Sequence, residues 1–216
     1  MRFEASLADS SLFILKQGKV LVYLLVYVND IVLTGNQPDF LTSLIKQLNQ
    51  AFELKDLGPL HYFLGLHTTR TSNRLFLTQT KYAHDLLVKH NMLSSKPARS
   101  PCAPNLRLVP HEGSILPNPH EYRNMVGSLH YLTFTRPDLS FAVHQVCQFM
   151  NTPTDTHLVV AKRILRYING TSNFGIFLQL GPLSLSAFFD SDWAGDPFDR
   201  RSTTGFLVYL GYNPIT

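Results

Sequence analysis

Cysteine is almost missing from this 216-residue sequence: there are only Cys102 and Cys147, far apart and in no C-x-x-C spacing. That count excludes a disulfide framework and makes a reducing interior the ordinary setting. None of the nine histidines belongs to an H-E-x-x-H pattern or a tight His/Cys cluster, so zinc has no sequence support. Long hydrophobic runs are missing as well. "VLVYLLVYV", residues 20–28, is strand-sized and gives way at once to Asn29–Asp30, whereas a membrane-spanning helix needs about 20 apolar residues. The opening "MRFEASLADSSLF" lacks the apolar region of a secretory leader. There is no glycine-rich phosphate loop, no G-x-S-x-G elbow and no recognisable Ser/His/Asp spacing. A soluble, intracellular chain with no membrane partner is expected.

What is there describes a core-forming protein. Hydrophobic residues make up 44 % and charged residues 16 %, and the formal charge of +4 is a mild bias towards polyanions. Residues 20–28 are β-branched and aromatic without polar alternation, as in a strand covered on both faces. Asn29 and Asp30 tolerate positive φ and are expected to form a two-residue hairpin turn, after which "IVLTG" returns. "PDFLTSLIKQLNQAF" follows with Phe40, Leu41, Leu44, Ile45 and Leu48 on one helical face. Gly58 and Pro59 break that pattern. A second hairpin turns at Ser72–Asn73, and "TKYAHDLLVKHNM" is helical.

Residues 94–119 hold six prolines and little periodicity, which predicts a linker or an extended wrapping loop. Helices resume to residue 169: Tyr122, Met125, Val126 and Leu129 share one face, Pro137–Asp138 open another helix, and Thr156 is a candidate N-cap with Gly170 past the end. The tail reads as strands in "FGIFLQL", "LSLSAFFDSDWAG" and "TTGFLVYLG". The order fits an α+β fold rather than a doubly wound parallel sheet.

"LLVYVNDIVLTG" resembles the "YVDD" motif of copia-type retrotransposon reverse transcriptases, where paired aspartates at a hairpin belong to the polymerase palm. "FELKDLGPLHYFLGL", "LFLTQTKYAHDLL", "YRNMVGSLHYLTFTRPDLSFAV", "AKRILRYINGT" and "DSDWAGDPFDRRSTTGFLVYLG" are similar to later segments of the same polyprotein, in family order. The resemblance runs from about Phe3 to Gly211. It implies a partial palm hairpin with its helices, a helical thumb- or connection-like middle, and the start of an RNase H-like β-sheet. The corresponding ranges are 1–95, a proline-rich linker at 96–119, 120–170 and 171–216.

Residue by residue, the resemblance makes Asp30 a catalytic and metal-binding acid and puts Asn29 where the family has its first metal-binding Asp. Hard cations prefer anionic oxygens, and two-metal phosphoryl transfer holds them roughly 4 Å apart; the implied ion is Mg²⁺ or Mn²⁺. Phe63, Leu64 and Gly65 are similar to the hairpin that grips the primer end. Lys162, Arg163 and Arg166 lie at i, i+1 and i+4 on a predicted helix and could track a phosphate backbone. Asp190 matches the first metal-binding acid of the RNase H region, Asp192 has no assigned role, and Arg200 and Arg201 could touch a nucleic-acid backbone. An RNA/DNA primer–template is the implied partner.

The family's other palm Asp and its nucleotide-positioning segment precede this motif, and further RNase H carboxylates follow. Neither set is among these residues. With Asn29 replacing a carboxylate, the expectation is a catalytically inactive copy; a non-enzymatic nucleic-acid-binding module is the alternative. The resemblance leaves cytoplasm, nucleus and plant organelle open.

Overall fold

The computed structural model describes residues 2–104, 107–195 and 200–216. The chain divides into two compact units, residues 1–63 and 64–216.

The first unit is a four-stranded antiparallel sheet with one helix on it. Strands β1 (Glu4–Ala5), β2 (Leu12–Gln17), β3 (Val20–Tyr27) and β4 (Asp30–Gly35) lie side by side in chain order. Helix α1 (Pro38–Phe52) opens with a proline in its first turn, where no amide bond is lost, and closes on Glu53 in the left-handed conformation. Its Leu44 packs on Leu15 and Val22, with Phe40, Leu41 and Leu48 around them. The expectation that residues 20–28 are covered on both faces needs correction. Val22 is fully buried, but Tyr23 and Tyr27, on the other face of β3, are exposed. A single helix covers only one side of an antiparallel sheet, and the apolar run conceals that asymmetry. A two-residue strand β5 (Tyr62–Phe63) ends the unit.

The second unit begins with the hairpin of β6 (Leu66–Arg70) and β7 (Arg74–Thr78). Its turn is closed by Thr71, whose N–H donates to the Arg74 carbonyl at 2.8 Å, with Ser72–Asn73 between them as the spacing predicts. Helices α2 (Thr80–Lys89), α3 (Pro119–Leu132), α4 (Ser140–Cys147) and α5 (Asp155–Gly170) follow. Their apolar faces meet in one core: Leu86 and Leu87 from α2, Tyr122 to Leu132 from α3, Val143 and Val146 from α4, and Ile164, Leu165 and Ile168 from α5. Each such side chain stabilises the fold by roughly 1.5–3 kcal/mol on burial. Strand β8 (Gly175–Gln179) then pairs with β7, and β9 (Leu185–Ser191), β10 (Thr204–Leu210) and β11 (Asn213–Pro214) make a separate antiparallel sheet.

Two buried polar groups organise the helices. The N-cap of α5 is Thr154, two residues before the expected Thr156, because His157 completes a capping box with it. The His157 ring accepts the Thr154 N–H through Nδ1 at 3.1 Å, lies 3.2 Å from the Val109 carbonyl through Nε2, and stacks on Phe149 with centroids 4.0 Å apart. Burial holds its pKa below the usual histidine value, outweighing Val109, Glu112 and Asp155, which pull it upward. Arg136, 3 % exposed, forks onto Asp138 at 2.9 and 2.7 Å and donates to the Thr171 carbonyl and hydroxyl at 2.9 and 2.8 Å. Its guanidinium also lies over the Tyr167 and Phe174 rings.

The proline-rich segment wraps along α5. Ala98 N–H donates to the Arg166 carbonyl, and Asn169 donates to the carbonyls of Leu93 and Ser95. Further along, Ile115 bridges to Thr154 and Leu116 N–H donates to the Pro153 carbonyl.

Candidate nucleic-acid and metal site

The β3–β4 ladder closes with Tyr27 opposite Asp30, so the two turn residues are Val28 and Asn29. The turn therefore falls one residue earlier than the expected Asn29–Asp30. Asp30 is the first residue of β4 rather than a turn residue, and Asn29 occupies the tip. Val28 takes φ +51°, a value at which a β-branched side chain is strained and which glycine would adopt freely. The ladder is anchored from its open end. Asn36 accepts the Leu21 N–H at 2.9 Å and donates to the Lys19 carbonyl at 2.8 Å. A Cβ on Gly35 would come within 2.7 Å of the Leu21 carbonyl oxygen, so only glycine fits there. Those contacts force the strain onto Val28.

Tyr27, Asn29 and Asp30 are all exposed. Among the described residues no three His, Cys, Asp or Glu side chains come together as a metal site. Asn29 adds a neutral carbonyl beside one carboxylate, so the residues in hand do not complete a site for Mg²⁺ or Mn²⁺.

Leu64 and Gly65 join β5 to β6 with φ of +47° and +79°, two consecutive positive values that a tight reverse turn of the I′ kind demands. Glycine suits this geometry, whereas leucine does not. Tyr131, in the last turn of α3, donates its hydroxyl to the Leu64 carbonyl. A Cβ on Gly65 would sit 3.1 Å from that hydroxyl oxygen. Phe63 is half-buried and Leu64 is exposed. Tyr131 was not singled out from the sequence; an aromatic in "SLHYLTF" reads as one more core residue unless its polar end is given a partner.

The three cations of α5 separate. Lys162 is exposed, but Arg163 and Arg166 are half-buried and turned to the wrapping segment: Arg163 donates to the Ser100 hydroxyl at 3.1 Å and Arg166 to the Lys96 carbonyl at 2.7 Å. Their shared helical face serves intramolecular hydrogen bonds, a competing use that spacing alone does not exclude.

Asp190 lies near the end of β9, opposite Gly205 of β10, so no side chain faces it across the ladder. Its carboxylate is exposed and accepts the Ser191 N–H at 3.0 Å. Asp192, which had no assigned role, accepts N–H bonds from Thr203 at 2.8 Å and Gly195 at 3.2 Å, fastening the two ends of the β9–β10 connection. Arg200 and Arg201 are exposed in that connection, Arg200 with φ +61°. Residues 196–199 of the matching motif lie outside the described residues.

Comparison with known proteins identifies the class. A family profile described as reverse transcriptase (RNA-dependent DNA polymerase) matches residues 1–104. The retrovirus-related Pol polyprotein from transposon RE1 of Arabidopsis thaliana is 51 % identical over 215 residues, 99 % of this chain and 15 % of that protein. The corresponding polyprotein from transposon TNT 1-94 of Nicotiana tabacum is 36 % identical over 206 residues, again 15 % of its own length and 90 % of this chain. An uncharacterized mitochondrial protein of Arabidopsis thaliana is 46 % identical over 196 residues, 90 % of this chain and 81 % of that protein. No solved structure matches.

These matches define the class as that of retroelement Pol proteins. The chain belongs to the reverse-transcriptase family of copia-type retrotransposon Pol polyproteins, and it spans about 15 % of the length of the polyproteins it matches. Enzymes of this family act on nucleic acid with divalent metal ions. No helix among the described residues is long and apolar enough to cross a membrane.

Proposed function

We propose that this chain is a segment of an RNA-directed DNA polymerase and RNase H that engages a primer–template without extending it. The carrying observation is the hairpin tip, where Asp30 opens β4 opposite Tyr27 and Asn29 stands in the turn. The family pairs two carboxylates there, and this chain has one. If the missing charge withdraws about 3 kcal/mol from the transition state, catalysis falls roughly a hundredfold from this change alone.

In this reading residues 1–95 are the C-terminal part of the palm, 96–119 the connecting segment, and 120–170 a thumb- or connection-like helical region. Residues 171–216 are the opening strands of an RNase H-like domain. Asp190, unobstructed opposite Gly205, is its first metal-binding acid. Phe63, Leu64 and Gly65 hold the primer end, and Lys162, Arg200 and Arg201 contribute charge to the phosphate backbone. Arg163 and Arg166 contribute less than Lys162, since each guanidinium already donates within the protein.

The test is titration of the purified chain against a fluorescent RNA–DNA primer–template at about 50 and about 200 mM salt, with primer extension followed in parallel. Micromolar binding that weakens steeply with salt, without extension, is expected. Extension by the unaltered chain would refute the inactivity, and absence of binding by a folded sample would refute the grip.

A further inference from the structure

We infer that Tyr131 is the positioning residue of the Leu64–Gly65 turn, holding it in the shape that meets the primer end. The inference deepens the reading above and rests on it for the nucleic-acid part alone.

Two independent features of the backbone converge on this side chain. Leu64 has φ +47°, a strained conformation for a leucine. A strained turn persists only where its surroundings over-determine it. The Tyr131 hydroxyl supplies that constraint by donating to the Leu64 carbonyl from 67 positions along the chain. Gly65 gives the second feature. Its Cα faces the same phenol closely enough that an added Cβ would lie 3.1 Å from the hydroxyl oxygen and 3.5 Å from the ring. The turn thus rests against the tyrosine on both of its residues.

The tyrosine is in turn fixed from behind. Its ring packs edge-on against Tyr82 at 4.9 Å and Phe134 at 5.8 Å between centroids. Tyr82 donates to the Ser128 carbonyl at 3.2 Å, and Gln79, which is buried, reaches the Tyr131 carbonyl at 3.4 Å and accepts the Thr135 hydroxyl at 2.8 Å. Helix α3 and the start of α2 therefore set where the phenol sits, and the phenol sets the turn. Because nothing here touches a reacting atom, the role is positional.

The experiment compares Tyr131→Phe with Tyr82→Phe in the full chain. Each removes one phenol–carbonyl hydrogen bond from the same aromatic cluster, so their effects on melting temperature should be similar. Only Tyr131→Phe should raise amide exchange at Gly65 and Leu66, by roughly two- to tenfold for one lost hydrogen bond, and weaken primer–template binding by a comparable factor. Gly65→Ala should weaken binding as well. Adding Tyr131→Phe to it should cost nothing further and restore part of the loss, because the closest clash is with the hydroxyl. Unchanged exchange at the turn in Tyr131→Phe would overturn the inference, as would equal affinity losses in both phenylalanine variants, or faster exchange with wild-type affinity. Should the wild-type chain bind no primer–template, the functional reading fails, and the exchange comparison alone decides whether Tyr131 sets the turn.

Discussion

Replacing Arg136 with methionine should be among the most damaging single changes in the second unit. The substitution keeps most of the side-chain length and removes the fork. It strips two hydrogen bonds from Asp138 and two from Thr171, and ends the contacts over Tyr167 and Phe174. Breaking a buried ion pair from one side costs about 3–5 kcal/mol, since the other charge is left behind. Here the aspartate side chain is 35 % exposed, so water repays part of its loss and the lower bound, about 3 kcal/mol, applies. The reading is consistent with Asp138 itself: burial pushes its pKa up, yet the Arg136 hydrogen bonds and charge, helped by hydrogen bonds from Tyr167 and the backbone, overcome that and hold it below the usual carboxylate range. A group depressed in this way stabilises the fold above its unfolded pKa and ceases to as pH falls through the folded value. Native-state hydrogen exchange at Ile164, Leu165 and Ile168 reports the opening of this unit without requiring the whole chain to unfold as one. Exchange there should accelerate by about a hundredfold, since each 1.4 kcal/mol is a factor of ten. Asp138→Asn, which leaves the arginine some acceptors, should cost less. Acceleration under fivefold in Arg136→Met would refute the reasoning and make the network a surface ornament.

Three further outcomes are expected. Val28→Gly should raise stability by about 0.5–1 kcal/mol despite the entropy of glycine, because it relieves a β-branched residue at φ +51°; a lower melting temperature would mean the turn is not strained. Acidification below about pH 6.5 should destabilise the helical unit, because the unfolded chain takes up protons at histidine that the folded state, with His157 and His90 both shifted down chiefly by burial, resists. His157→Gln should lower the melting temperature at pH 8 and flatten its slope between pH 5 and 8; an unchanged slope would remove His157 from the account. Gly175→Ala should break the β7–β8 pairing, since its Cβ would lie 2.2 Å from the Leu77 carbonyl oxygen, and chymotrypsin should then cut near Phe177 faster than in the wild type.

Periodicity made the helices legible. Leu44 of α1, and Tyr122, Met125, Val126 and Leu129 of α3, are buried where the 3.6-residue spacing puts them. Turn chemistry was legible at Ser72–Asn73 but misled at the hairpin tip. Asn and Asp are the better turn formers, yet the register is decided at the other end of the strands by Asn36 and Gly35, beyond the reach of a local preference. The α5 cap moved to Thr154 for a similar reason, because a buried histidine, not an acidic residue, completes the box. Candidate site residues were legible by type and not by engagement. Spacing put Lys162, Arg163 and Arg166 on one side of a helix, and only the path of the proline-rich segment reveals that two of them already have acceptors. Tyr131 was invisible because its partner, a backbone carbonyl, has no signature in the sequence.

The wrapping of the proline-rich segment along α5 also bears on how fast the second unit assembles. Its ties close between positions 63 to 76 residues apart: Arg163 to Ser100, Arg166 to Lys96, Asn169 to Leu93. Each needs α5 already formed, and each restricts a long stretch of chain for a single hydrogen bond. Closure of such loops is entropically costly before it is rewarded, so contacts of this span form late. The strap should be the last part to dock on refolding and the first to detach under mild denaturant. Detachment frees the strap backbone and uncovers Arg163, Arg166 and Asn169 while the helical core still holds, so the rate of strap opening, rather than the stability of the bundle, should govern how long the strap survives a protease.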